Sequence, residues 1–412
     1  MEAVKKMDVH SKAMSKVIEI TKNDKIDKLE QFLKRFGLRH NSITREIELD
    51  GDAIIDRDIN TIYTKAMREI NYNISKNKIW DYINSDFTKT YNPFLDFFEK
   101  YQEMKPVGRV KELLDCIEYE KPDLSLDSLS EDESNADFLE VFMERWLLSI
   151  IASMHGTYSL LVLVLTGPQA SGKSRFFREL LPIELRPYYA ESKLDSGKDD
   201  EILMAKKLIV LDDEFSGKSK KEAAKLKDLS SKDSFTVRKP YGKAHETLKR
   251  HAVLCGTSNE EQILNDPTGN RRLIPINVKS IDLEKYSKID KVELFMELYH
   301  TYQEIGDGWM LGRNEIDYLN KCTSRNEQPD VVKEMVQQYF EPVEMEGGRA
   351  IKLTSTEIKN KLETRTRETI SIYKLGSIMK SLGYRQVKVY DSNTKNSKRC
   401  YLMIDKTNES QS

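Results

Sequence analysis

A chain of 412 residues exceeds what one ordinary core fills, and at roughly 100 to 200 residues per domain about three domains are expected. A charged fraction of 33% beside an apolar fraction of 39%, with a formal net charge of −2, excludes a disordered polyelectrolyte and predicts a folded chain with a heavily charged surface. Cys116, Cys255, Cys322 and Cys400 form no close pairs, which excludes a zinc ribbon, a C-x-x-C redox site or a disulfide scaffold and fits a reducing cytoplasm.

Met1 to Lys25 has no apolar h-region, so no signal peptide is expected, and the longest apolar run, Leu160 to Leu165, is too short to span a bilayer. Residues 1–117 read as a small α/β module: Ile43 to Leu49 alternates apolar and polar residues, Asp50-Gly51 makes a turn, and helical periodicity follows from Asp58. Glu118 to Asp137 holds eight acids and one base, and with Pro122 it reads as an acidic linker over 118–137, ahead of a helix starting near Asp137.

From residue 138 to 335 the pattern becomes short continuous apolar runs between polar helices and loops, as expected of parallel strands covered on both faces. Leu160 to Leu165, Leu208 to Leu211, Ala252 to Cys255 and Leu273 to Val278 are the four candidate strands. Gly167-Pro168-Gln169-Ala170-Ser171-Gly172-Lys173-Ser174 satisfies G-x-x-x-x-G-K-[ST] between a strand and a helix. Backbone N–H groups of such a loop surround phosphates, so Gly167, Gln169, Ala170, Ser171 and Gly172 are assigned to nucleotide binding. Lys173 neutralises the β and γ charges of ATP and Ser174 ligates Mg2+.

The second strand ends Asp212-Asp213-Glu214, and three consecutive acids at a buried strand end repel one another without a cation. Asp213 is assigned to magnesium and Glu214 to activation of water, with Asp212 the rival metal ligand if the register lies one residue earlier. Asn259, after the third strand, is placed to orient the attacking water, although an Asn there is ordinarily a turn residue.

With those signatures in order, the segment resembles the superfamily 3 helicases and, more closely, the virulence-associated E family of P-loop proteins found in phages and mobile genetic elements. Leu226-Lys227, Arg238-Lys239-Pro240-Tyr241-Gly242, Arg250 and Asp266 to Arg272 carry the rest of the likeness. Two departures stand out: Ala170 where the family usually has glycine, tolerable with a negative φ, and Leu273-Ile274 in place of Phe-Trp after the paired arginines. The resemblance implies an AAA+-like P-loop core and a homo-oligomeric ring, a hexamer, in which Arg271 or Arg272 reaches a neighbour's nucleotide. It also implies a hairpin in the ring's channel, where Tyr241, Lys243 and His245 suit a DNA strand; an ordinary solvated loop is the alternative.

Residues 336–412 read as a winged-helix-like domain. Thr354 to Glu357 is a capping box, Ile372, Leu375, Ile378, Met379 and Leu382 share a helix face, Gly383 stops that helix, and strands follow over Arg385 to Tyr390 and Arg399 to Ile404. From Arg349 to Lys406 fourteen Lys or Arg face five Asp or Glu, a formal charge of +9. Lys374 on the second helix, with Lys395, Lys398 and Arg399 at the hairpin, suits single- or double-stranded DNA, and a basic oligomerisation module is the rival.

The expectation is an ATP-dependent DNA helicase or translocase in replication of a phage, plasmid or genomic island, working in the cytoplasm with a separate primase or initiator and away from membranes. A DNA-bound ATPase switch that loads or regulates partners without unwinding is the alternative. The paired arginines and basic tail weigh against a small-molecule kinase, and no nuclease acid cluster marks a packaging motor.

Overall fold

A computed structural model describes residues 25–70, 74–122, 137–194, 198–215, 226, 228–238, 245–264, 272–327, 331–343, 345, 347–366, 369–391 and 396–406. Two compact units emerge, residues 1–327 and 328–412.

The larger unit opens with a helix over residues 25–34 (α1), a hairpin of β1 (Arg39–Asn41), β2 (Ile47–Leu49) and β3 (Asp52–Ala53), and helices α2 (Asp56–Glu69) and α3 (Lys76–Ile83). β4 (Thr90–Tyr91) joins β1 in parallel, giving the order β3-β2-β1-β4. Leu29, Leu33, Ile59, Ile62, Ile79 and Ile83 make a core of their own. The β1–β2 turn bends through Asn41, whose Oδ1 accepts from the N–H groups of Ile43 and Thr44, and it leaves Arg45 at φ 59.

After α4 (Pro93–Tyr101) and α5 (Arg109–Leu114), the central sheet is built from β5 (Ile117–Tyr119), β6 (Val162–Thr166), β7 (Tyr189–Glu191), β8 (Ile209–Asp212), β11 (Val253–Ser258) and β12 (Leu273–Ile281) in the order β5-β12-β6-β11-β8-β7. All four strands expected from apolar runs are present and mutually parallel, and β5 alone runs antiparallel, at one edge. The chain is therefore an α/β protein. β5 begins at Ile117, so the sheet takes up Glu118 and Tyr119 from the start of the acidic stretch.

Period-two alternation divides these strands between two cores. Leu163, Leu165, Ile209, Leu211, Val253 and Cys255 face one side, with α6 (Phe138–Met154) and α10 (Lys291–Ile305). Val162, Val164, Val210 and Leu254 face the other, with Met204 of α8 (Lys198–Lys206). α6 is apolar almost all round, as a fully covered helix must be, and Trp146 on it donates from its indole N–H to the Leu254 carbonyl.

β9 (Ser234–Arg238) and β10 (His245–Lys249) form a separate hairpin. At its foot the guanidinium of Arg250, wholly buried, donates to the carbonyls of Ser230 at 2.7 Å and Ala252 at 3.0 Å, with longer bonds to Leu229 and Lys232. Burial lowers its pKa, opposed by the nearby Tyr158. Between the paired elements lie α7 (Lys173–Arg178), α9 (Leu283–Lys288) and α11 (Arg313–Cys322).

The smaller unit holds α12 (Val331–Tyr339), β13 (Phe340–Pro342), β14 (Ala350–Leu353), α13 (Ser355–Glu363), α14 (Ile372–Ser381), β15 (Gln386–Asp391) and β16 (Asn396–Asp405). β16 is the hub, pairing antiparallel with β13, β14 and β15. The capping box forms as expected: Thr354 Oγ1 accepts from Glu357 N and Glu357 Oε2 from Thr354 N. Leu375, Ile378 and Met379 enter the core, and Gly383 takes φ 78 past the end of α14. Ile372 departs from the expected face, being 47% exposed, because it opens the helix before the first turn meets the core.

Candidate functional site

Strands β6, β8 and β11 lie side by side in one register, with Thr257 opposite Leu165 and Gly256 opposite Asp212. Their C-terminal ends therefore release three loops at one place, the edge where open α/β sheets bind ligands. Gln169, Ala170, Ser171, Gly172, Lys173, Ser174, Asp213, Glu214 and Asn259 all line one cleft there, of about 360 Å³.

The first loop is held by backbone contacts that side chains would block. Gly167 sits at φ 131, and a Cβ there would stand 2.0 Å from the Val278 carbonyl oxygen. Its N–H donates to Ser258 O, while Ser171 O accepts from Ile281 N, so the loop is tied to β11 and β12. Gly172 enters α7 at φ 95. Ala170 takes φ 65, not the negative value at which alanine is unstrained; the loop keeps a left-handed bend here despite the Cβ.

Lys173 is buried, and its ammonium donates to Gly167 O at 2.8 Å, Pro168 O at 2.6 Å, Ser171 Oγ at 3.1 Å and Asn259 Oδ1 at 3.4 Å. Burial lowers its pKa, opposed by the carboxylate of Asp213. A cation in this position loses water and gains only neutral oxygens, so a phosphate brought beside it meets a poorly compensated charge.

Asp213 is the meeting point of the cleft. Its Oδ1 accepts from Ser174 Oγ at 2.8 Å and from the Thr257 hydroxyl, and its Oδ2 from Arg178 Nη2 at 3.3 Å. Asp212 is buried at the end of β8 and does not line the cleft. Glu214 does, with a side chain 79% exposed and a backbone at φ 72. Phe215 follows, bonded through its N–H to Thr257 O and packed on Gly256 so closely that a Cβ there would lie 2.7 Å from its ring.

Thr257 and Arg178 escaped the sequence reading. Arg178 lies five residues beyond Lys173, about one and a half helical turns, and donates to both Glu191 and Asp213. Only contacts between separate segments identify either residue.

Arg272 stands outside the cleft and donates from Nη1 to Ser231 Oγ at 2.6 Å. Arg271, Tyr241, Lys243 and Lys395 lie outside the described residues. His245 opens β10 opposite Arg238, its backbone alone described. In the smaller unit, Lys374 is on α14 and the exposed Lys398 and Arg399 are on β16, with Arg399 opposite Lys388 of β15. Among the described residues no cluster of His, Cys, Asp and Glu forms a ready-made metal cage, and no helix is long and apolar enough to cross a membrane.

Residues 124–328 match the model of the virulence-associated protein E-like domain, a span that contains every residue lining the cleft. No curated protein matches the chain. The apo structure of the NrS-1 C terminal region (305-718) is similar with a TM-score of 0.47 and 14% identity, covering 90% of this chain and 98% of that one. Its A form apo structure gives a TM-score of 0.46 and 13% identity, over 92% and 98%.

Proposed function

We propose that the protein is an ATP hydrolase that moves on DNA, a helicase or translocase of the superfamily 3 kind serving replication of a phage, plasmid or genomic island. One observation carries this reading: Lys173, Ser174, Asp213 and Asn259, drawn from the ends of three parallel strands, converge in one cleft beneath a glycine-bent loop. This convergence supports the P-loop reading, in which a triphosphate is the ligand whose charge and shape the cleft suits.

In the proposed reaction, water attacks the γ-phosphorus, the bond to the β,γ-bridging oxygen breaks, and ADP and phosphate leave. Glu214 accepts the proton of the attacking water, and its exposed carboxylate at the cleft's rim is accessible to it. Asn259 orients that water, and the Lys173 ammonium neutralises charge that grows on the phosphate oxygens. Hydroxyl and carboxylate oxygens are the donors a hard dication prefers, so Ser174 and Asp213 fit Mg2+; when bound, it supplies further charge neutralisation.

Arg272, absent from the cleft of its own chain, is assigned with Arg271 to a neighbouring subunit's nucleotide, in a homo-oligomeric ring. Tyr241, Lys243 and His245 at the β9–β10 hairpin are assigned to a single strand, and Lys374, Lys395, Lys398 and Arg399 of a winged-helix-like unit to DNA phosphates. The deciding experiment measures ATP hydrolysis with and without single-stranded DNA, particle mass and strand displacement. Hydrolysis without displacement leaves a DNA-bound ATPase switch, and no hydrolysis removes both readings.

A further inference from the structure

The N-terminal end of the same parallel sheet carries a second cleft of about 360 Å³, which hydrolysis leaves unused. His251, just ahead of β11, lines it, whereas Asn259 at the other end of that strand lines the first; eight residues of extended chain separate them by about 26 Å. The two clefts are distinct sites.

Its charge is one-sided. Arg45 comes from the β1–β2 turn, Lys249 from the end of β10, His251 from the start of β11 and His155 from beyond α6; no carboxylate lines the cleft among the described residues. Arg45 and Lys249 are exposed and have no ion-pair partner among the described residues. Arg45 and Lys249 supply the charge: burial lowers the pKa of His251 against the hydrogen bond to the Ser153 carbonyl, and the charges of Lys249 and Arg45 lower it further, which favours the neutral ring. The N-terminus of α4 and the C-terminus of α6 both border the cleft, so their end charges offset and the side chains set the sign.

Two further features are costly for a surface that does nothing. Ser42 borders the cleft, and its buried hydroxyl oxygen has no hydrogen-bond partner. Such a group costs about 1–3 kcal/mol unless something pairs with it. Arg45 holds φ 59 at a turn position where glycine is free of strain, so a long cation stands where sterics favour no side chain.

We propose that this cleft binds a phosphate group, presented by a nucleotide or by the backbone of a nucleic-acid strand. A guanidinium and an ammonium give charge-assisted bonds to its oxygens. The volume falls within the range of small-ligand sites, about 300–1,000 Å³, and suffices for a phosphate with part of its sugar. The site operates independently of the hydrolytic cleft.

The test follows ring signals of His155 and His251 by NMR in ¹³C-histidine-labelled full-length protein, with the His251 signal identified as the one missing from His251→Gln. Inorganic pyrophosphate is titrated in one arm and hexathymidylate without a terminal phosphate in the other. At least one probe is expected to move both signals, with a tenfold or greater loss of affinity in Arg45→Glu combined with Lys249→Glu. Because both side chains are exposed and outside ion pairs, the melting temperature of that variant should stay within about 2 °C; Arg45→Gln with Lys249→Gln replaces it if it unfolds. Response to pyrophosphate alone assigns the site to nucleotides, and response to hexathymidylate assigns it to a strand. Signals that no probe moves, or that move equally in the charge-altered protein, overturn the proposal.

Discussion

The hydroxyl of Ser174 stands 2.8 Å from Oδ1 of Asp213, so the loop after β6 and the loop after β8 meet at one carboxylate. This contact sets Asp213, the acid that the sequence assigns to magnesium, apart from its rival Asp212. Asp213→Asn should lower hydrolysis at least a hundredfold and weaken its dependence on Mg2+ concentration. Asp212→Asn, outside the cleft, should lower it less than about tenfold. Turnover measured across a magnesium titration decides the order, and the reverse order would move the metal to Asp212.

Lys173→Ala should abolish both nucleotide binding and hydrolysis, because the ammonium held by the loop carbonyls is lost. Glu214→Gln should keep the affinity and lose about two to four orders of magnitude in turnover, the usual contribution of a general base. Equilibrium binding and single-turnover hydrolysis, run together, separate these effects. Wild-type turnover in Glu214→Gln rules that residue out as the base.

Ala170→Gly should relieve left-handed strain of about 1–2 kcal/mol while adding about 0.5–1 kcal/mol of unfolded-chain entropy. The net expectation is a rise of about 2 °C in melting temperature, read by calorimetry without nucleotide. A fall would mean that the alanine methyl contributes packing that outweighs the strain.

Arg272→Ala subunits mixed with Lys173→Ala subunits should regain part of the hydrolysis that each lacks alone, since mixed interfaces contain one intact loop and one intact arginine. The measurement is activity against mixing ratio. A fully active monomer, or no recovery at any ratio, eliminates the shared site.

Removal of residues 328–412 takes away a whole compact unit, including the segment of formal charge +9. The remaining protein should fold and keep basal hydrolysis while its affinity for duplex DNA falls with a shallower salt dependence. Unchanged affinity would shift the basic unit to an oligomerisation role.

The central strands were legible because burial on both faces leaves unbroken apolar runs such as Val162–Leu165 and Ile209–Leu211. The glycine-bent loop after β6 was legible because its residues are contiguous. β7 was not: Tyr189–Glu191 is a three-residue, half-exposed edge strand, and edge position removes the run that marks a central one. Thr257 looked like an ordinary strand residue, and only its position beside Asp213 gives its hydroxyl a partner. Nor does sequence separate Arg45 and Lys249 from other surface cations, since 203 residues lie between them and only the fold brings both to one cleft.

Arg250 anchors the foot of the β9–β10 hairpin. Its one guanidinium grips carbonyls on both sides of the hairpin's foot, Ser230 and Lys232 before it and Ala252 after it. Ala252 leads directly into β11, which carries Thr257 and is followed by Asn259. The foot of the hairpin and the groups that meet Asp213 and Lys173 are therefore joined by one short, fully buried strand.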